Sequence, residues 1–261
     1  MTEIFSALGI QFRTIRALIL REALARFNNL GAGYLWAFVP PLAQVGTLYL
    51  VWTLLSSRHS AGFPLALFLI TGVLPFYLFR QSLQQGINSI KKGKGLTSFP
   101  QVKYFDVIMA SVVLEFFTSL IVFLFAVWGA QYLGETAKLG DPFGVLIGYF
   151  LIALIGMGSG MIVGSLSVHF KSAPQVAQIV LVRPLFFISG LFFSMAMLPV
   201  AIRDWLQWNP LLHAIEFIRV SFFFDFQSSH YDLGYAAIFA LVLFTFGHAA
   251  LVNLVNDADR Q

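Results

Sequence analysis

The chain has 261 residues, of which 58% are hydrophobic and 11% charged, with a mean hydropathy of +0.80. A soluble domain carries about 25% charged residues, so a water-soluble enzyme, a disordered chain and a secreted disulfide scaffold are excluded. The sequence has no Cys and therefore no thiolate chemistry. A net charge of +4 does not point to nucleic acid, because the Lys and Arg sit at the ends of apolar stretches, where membrane proteins use them to fix orientation.

Residues 1–33 contain four Arg and no apolar core leading to a small-residue cleavage site, so no cleavable signal peptide is expected. Phe5, Leu8, Phe12, Ile15 and Ile19 recur at alternating spacings of three and four, which places them on one helical face. Arg13 and Arg21 point away from that face, and Arg16 flanks it. This is the pattern of an amphipathic helix lying in the membrane interface. Arg26 rotates back onto the apolar face, so the helix must bend or end there, or the side chain must snorkel. Asn28–Gly33 then reads as a turn into the membrane.

A spanning helix needs about 20 apolar residues. Six stretches qualify: Tyr34–Leu55, Phe63–Phe79, Val107–Leu133, Phe143–Val168, Ala173–Leu198 and Leu233–Val255. Only Glu115 and Arg183 are charged within them, and Arg80 closes the second. Ser82–Ile90 can continue the second helix before Gly93, Gly95 and Pro100 break it. Residues 84–103 make the main loop on one side. Residues 200–226 are aromatic but hold Arg203, Asp204, His213, Glu216 and Arg219. Arg or Asp at a bilayer centre costs roughly 2.5–3.5 kcal/mol on the insertion scale, so a full span is not expected. Asn209-Pro210 divides the segment, which suggests two short helices that enter the outer leaflet and return. The expected fold is an all-α polytopic membrane protein with a region 1–33 on the interface and a six-span region 34–261.

Lys and Arg are unequally shared between the two sides. Arg13, Arg16, Arg21, Arg26, Lys91, Lys92, Lys94, Lys103, Lys171 and Arg260 fall on one, and Arg58, Lys138, Arg203 and Arg219 on the other. The richer side should be cytoplasmic, with both termini there.

Catalytic constellations are mostly absent from the sequence. The five His show no metal-ligand spacing. Gly93-Lys94 has neither the earlier Gly nor the following Ser or Thr of a phosphate-binding loop. Gly156, Gly160 and Gly164 fall on one helical face and should let another helix approach closely. Arg80, Arg183 and Glu115 are costly where they stand. They either form internal pairs or snorkel, or the two Arg face a polar path and meet an anionic ligand.

Three stretches together resemble the permease subunits of bacterial ABC-2 type capsular polysaccharide exporters. The first is Leu20-Arg21-Glu22, Arg26-Phe27 and Gly33-Tyr34-Leu35-Trp36-Ala37. The second is Gly72-Val73-Leu74-Pro75-Phe76. The third runs from Arg183 to Ser189, then Trp208-Asn209-Pro210-Leu211, His213, Glu216 and Arg219. Relatives often place Glu before the Pro that follows the Trp-Ala entry, whereas here Pro40 precedes Pro41. The resemblance implies a homodimer joined to two copies of an ATPase subunit that binds ATP and Mg, with no cofactor in this chain. It implies a lipid-linked polysaccharide substrate, further periplasmic and outer-membrane export components, and residence in the bacterial inner membrane. It places ATPase coupling on Lys91, Lys92 and Lys94. On this reading Arg80 and Arg183 meet acidic groups, and Phe76, Tyr77, Phe186, Trp205 and Trp208 stack on sugars. Two alternatives stand beside it: an ABC-2 exporter of another lipid or a drug, and a membrane-embedded lipid or sugar transferase. Glu115 and Asp106 alone are few acids for a transferase.

Overall fold

The computed structural model describes residues 2–27, 33–55, 63–96 and 102–258, with side chains for 11–25, 35–54, 63–90 and 102–254. The Asn28–Gly33 turn up to residue 32, the side chains of Phe5, Leu8, Arg26, Lys91, Lys92 and Lys94, and Arg58 and Arg260 lie outside the described residues.

Among the described residues the chain is helical, with a single isolated β-bridge between Leu139 and Phe223. The first helix, α1, is Thr2–Phe27, and a 3₁₀ turn at Gly33–Ala37 leads into α2, Val39–Leu55. Next come α3, Leu65–Leu96, α4, Tyr104–Tyr132, and α5, Pro142–His169. A broken helix follows, made of α6, Ala173–Ala177, a π-helical turn at Gln178–Val182, and α7, Arg183–Ile188. The remaining helices are α8, Val200–Leu206, α9, Pro210–Phe222, and α10, Leu233–Ala258. Among the described residues, five stretches are long and apolar enough to cross a membrane: Leu35–Leu54, Leu65–Ile90, Tyr104–Tyr132, Pro142–His169 and Leu233–Leu254. The apolar helix Ala173–Ile188 is shorter.

The expected fifth span, Ala173–Leu198, therefore stops ten residues early. The α7 helix closes at Ser189, and Gly190 takes φ +77°, a left-handed conformation that a Cβ would strain. Pro184 has no N–H to give the carbonyl of Val180. The backbone widens before it, and Arg183 N–H reaches back five residues to Gln178 O. The second span changes in the opposite sense. Helix α3 runs on to Leu96, through most of the 84–103 segment read as a loop.

Helix α5 sits at the centre and meets its neighbours through glycines. A Cβ on Gly156 would stand 2.7 Å from Phe79 O, and one on Gly160 would stand 2.6 Å from Leu83 O. One on Gly164 would meet the Ile90 side chain at 2.7 Å, so this face lies directly on the α3 backbone. Gly158 faces α10, where a Cβ would stand 2.7 Å from Leu243 C, and Gly148 faces α9, where a Cβ would clash with the Ile218 side chain. Helix-to-helix approach this close is what small residues permit in membranes. The start of α5 is capped by Asp141, which accepts from the Phe143 and Gly144 N–H groups, with Pro142 in the first turn.

Helix α1 packs against the start of α4. Leu18 is buried with Val107 and Ala110, and Gln11 Nε2 donates to Asp106 Oδ1 at 3.2 Å. The other Asp106 oxygen accepts from Lys103 N–H at 3.0 Å, which caps α4. Phe12, Leu20 and Leu24 stay exposed.

Candidate functional site

A buried polar cluster lies where α9 meets α3 and the 189–199 segment. Asn209 organises the entry. Its Oδ1 accepts from Leu211 N–H at 3.1 Å, and its Nδ2 donates to Ile188 O at 3.2 Å and Ser189 Oγ at 2.9 Å. One side chain thus caps the start of α9 and the end of α7. His213 accepts from Asp232 N–H at Nδ1, 2.8 Å away, so its proton sits on Nε2 and is donated to Gln207 O at 2.7 Å. Tyr235 OH donates to Trp208 O at 2.8 Å, which ties the α8–α9 turn to α10.

Deeper still, Arg219 is completely buried, at 0% exposure. Its guanidinium donates to Phe193 O at 2.8 Å and Leu191 O at 3.2 Å, and lies 3.9 Å over the Phe68 ring. Glu216, one turn earlier and also buried, is 3.8 Å from Arg219 Nη1 and accepts from Ser194 Oγ. Gly72 of α3 leaves the space for this cation, because a Cβ there would stand 2.6 Å from Arg219 Nη2. Gly72, Arg219 and the segment after α7 therefore form one cluster, although they come from three distant stretches of sequence. The segment expected as two short helices divided at Asn209-Pro210 is α8 and α9; Glu216 and Arg219 find partners inside the protein, so α9 is a core helix, and the exposed face belongs to α8.

The residues expected to face a substrate divide into two groups. Phe76 and Tyr77 are buried in α3. Phe76 meets Phe186 of α7 at 5.5 Å and Phe79 at 5.6 Å, and Phe186 meets Phe192 at 5.3 Å. This is a packed aromatic core, so Phe76 presents no ring face to a sugar. Tyr77 is covered by Arg80, whose guanidinium lies 4.9 Å over its ring. Tyr77 also lies within electrostatic reach of Glu115 on α4. Trp205 and Trp208, by contrast, are 84% and 78% exposed. They flank an apolar cavity of about 300 Å³ bounded by Leu185, Ile188, Phe239 and Leu243. Arg183 is exposed at the first turn of α7.

Reading from the sequence passed over one feature of α3. Between Leu67 and Ile90 the only positions that are not buried are Arg80, Gln81, Gln84, Gln85 and Asn88, and every one is polar. Gln81 Nε2 donates to Tyr77 OH at 2.8 Å, and Gln84 Nε2 donates to Asn88 Oδ1 at 3.1 Å. Gln178 of the π turn donates to Gln84 Oε1 at 3.2 Å. The signal was present as amides three and four apart, but the apolar stretch was closed at Arg80. No group of three His, Asp or Glu stands where it could hold a metal ion among the described residues.

Comparison with known proteins places this architecture. Similar relatives include the polysialic acid transport protein KpsM of Escherichia coli, 28% identical over 94% of each chain. The capsule polysaccharide export inner-membrane protein CtrC of Neisseria meningitidis is 26% identical over all of this chain and 98% of its own. The capsule polysaccharide export inner-membrane protein BexB of Haemophilus influenzae is 26% identical over 98% of this chain and 96% of its own. The model of the ABC-2 type transporter family matches residues 13–223, and the chain belongs to that family.

Proposed function

We propose that this chain is the membrane permease of an exporter that moves capsular polysaccharide across the bacterial inner membrane. The observation that carries this reading is similarity along nearly the whole chain to relatives named for polysialic acid transport and capsule polysaccharide export. Helices long enough to cross a membrane agree with it.

A permease of this kind needs an external motor, and the reading assigns ATP and Mg to a separate ATPase subunit in two copies. The lysines Lys91, Lys92 and Lys94, at the end of α3, are the proposed contact with it, beside α1. Two copies of this chain enclose the path, with the Lys-rich side and both termini in the cytoplasm. The substrate is a lipid-linked polysaccharide, handed on to periplasmic and outer-membrane components. Arg80 and Arg183 are the proposed partners of acidic groups on the polymer, and the exposed Trp205 and Trp208 the proposed stacking surfaces, whereas Phe186 packs into the aromatic core with Phe76 and Phe192.

Deletion of the gene in its own bacterium should remove surface polysaccharide, and the cloned gene should restore it. The purified protein should bring an ATPase subunit with it. Unchanged surface polysaccharide in the deletion strain overturns the reading. A chain that turns over a sugar nucleotide without any partner favours the transferase alternative.

A further inference from the structure

We propose that the amide face of α3, formed by Gln81, Gln84 and Asn88, is a contact surface for the hydroxyl groups of a glycan strand. This rests on the export reading and specifies where, and by what chemistry, the polymer is held.

The face is set by geometry. At 3.6 residues per turn, Tyr77, Arg80, Gln81, Gln84, Gln85 and Asn88 fall within a sector about 140° wide. Phe79, Ser82, Leu83, Gly86 and Ile90, which meet the glycine ridge of α5, fall on the opposite side of the helix. Helix α3 is therefore packed backbone to backbone on one side and polar on the other.

The environment of that polar side follows from its neighbours. Helices α4, α5 and α10 turn large apolar side chains outward, among them Leu124, Phe125, Phe143, Phe150, Ile238 and Phe246. Such surfaces suit hydrocarbon. Four half-buried amides and a half-buried guanidinium along one membrane-length helix do not, because polar groups left unsatisfied in lipid cost several kcal/mol each, roughly. A surface of this kind faces water or a polar ligand.

The donor set selects the ligand. An amide both donates and accepts, is uncharged, and matches a hydroxyl in both roles. The stripe carries one formal charge, Arg80, so it reads hydroxyls along its length and an acidic group at one end. Its internal hydrogen bonds are already amide to amide and amide to phenol. Exchanging one of them for a sugar hydroxyl replaces like with like. Gln85 turns its Oε1 inward, buried and without a donor among the described residues, so Gln81, Gln84 and Asn88 present the amides of this face. Recognition by exchangeable neutral bonds lets a strand advance without meeting a deep minimum, a requirement that every conduit shares.

The test uses the absence of native Cys. Single Cys at Gln81, Gln84 and Asn88, in the assembled transporter in native membranes, should react with a charged, membrane-impermeant thiol reagent. Cys at Phe125 and Ile238 should not. With a partner ATPase that binds but cannot hydrolyse ATP, so that native polymer stalls in the transporter, labelling at 81, 84 and 88 should fall several-fold. The triple variant Gln81→Leu, Gln84→Leu, Asn88→Leu should cut surface polysaccharide at least tenfold at normal membrane abundance, and Gln84→Asn should retain most of it. Unreactive Cys at all three positions in variants that still export overturns the proposal, as does normal export by the triple variant. If the triple variant does not accumulate, the labelling experiment decides. Loss of the export reading itself would show as unchanged polysaccharide in the deletion strain, a result independent of labelling.

Discussion

Arg219 and Arg183 are both cations in a largely apolar chain, and the protein treats them in opposite ways. Arg219 is enclosed by α3, α9 and the 189–199 segment, with two carbonyls, a carboxylate and a ring face as partners. Arg183 stands exposed on a broken helix beside a π turn. The first site spends its charge on architecture: without it, the Leu191 and Phe193 carbonyls of the segment that follows α7 lose their side-chain donor. The second leaves its charge available to something outside the chain. The amide face of α3 belongs with Arg183 in this respect, and the aromatic core around Phe76 belongs with Arg219. On the proposed function, the contrast separates residues that build the protein from residues proposed to meet what moves through it.

The largest effect should come from breaking the enclosed site. Arg219→Ala leaves Glu216 charged and buried, and the Leu191 and Phe193 carbonyls without donors. Removing one partner of a buried pair costs about 3–5 kcal/mol, so the variant should fail to accumulate in membranes. Replacing both members, Arg219→Met with Glu216→Met, should recover much of the loss, since apolar substitutes for both partners are often tolerated. Membrane abundance and thermal unfolding in detergent measure both. Normal abundance of Arg219→Ala would dissolve the distinction drawn here.

A smaller loss is expected at the glycine ridge. Gly160→Val places a side chain against Leu83 O and Gly86 Cα, both backbone atoms that cannot rotate away. Overpacking of this kind costs about 1–3 kcal/mol and should lower the unfolding temperature. Gly129→Ala, with nothing within 4 Å of its Cβ, is the control and should be silent. Asn209→Ala should follow at about 1 kcal/mol, the usual worth of an N-cap, because α9 is held by many other contacts.

The sequence showed the membrane helices plainly, because each is a long apolar run and little else competes with that signal. It misplaced their ends where local residues carry two meanings. Lys91, Lys92 and Gly93 look like a loop, yet α3 continues through them as a helix. Ser189-Gly190 looks unremarkable inside an apolar run, yet it ends α7. The 200–226 segment was read as too charged for a full span and as two short helices, and it folds as α8 and α9; the burial of α9 was not legible, because hydropathy assigns a cost to each residue and cannot register a partner 26 residues away, such as Phe193 O for Arg219. Gly156, Gly160 and Gly164 could be placed on one face from spacing alone, but which helix would meet that face required the fold.

Arg183 should show the smallest change in stability and the sharpest change in transport. It begins α7 exposed, where the π turn before Pro184 has loosened the helix. Its loss leaves no described partner behind, so Arg183→Ala should accumulate and unfold like the parent. If the guanidinium meets acidic groups on the polymer, surface polysaccharide should fall several-fold while the ATPase partner still assembles. Arg183→Lys should keep most of the export, because a point charge survives the change even though the planar fork does not. Hydrolysis of ATP uncoupled from export should then rise in Arg183→Ala, since the motor would run without a load. A structural role makes a different set of demands. A pair with buried Glu115 on α4 would make Arg183→Ala fold poorly and would let Glu115→Gln rescue it. Measuring abundance, assembly and surface polysaccharide in the two single variants and the double variant separates these cases. Full export by a stably assembled Arg183→Ala would place this arginine, like Arg219, outside the path of the polymer.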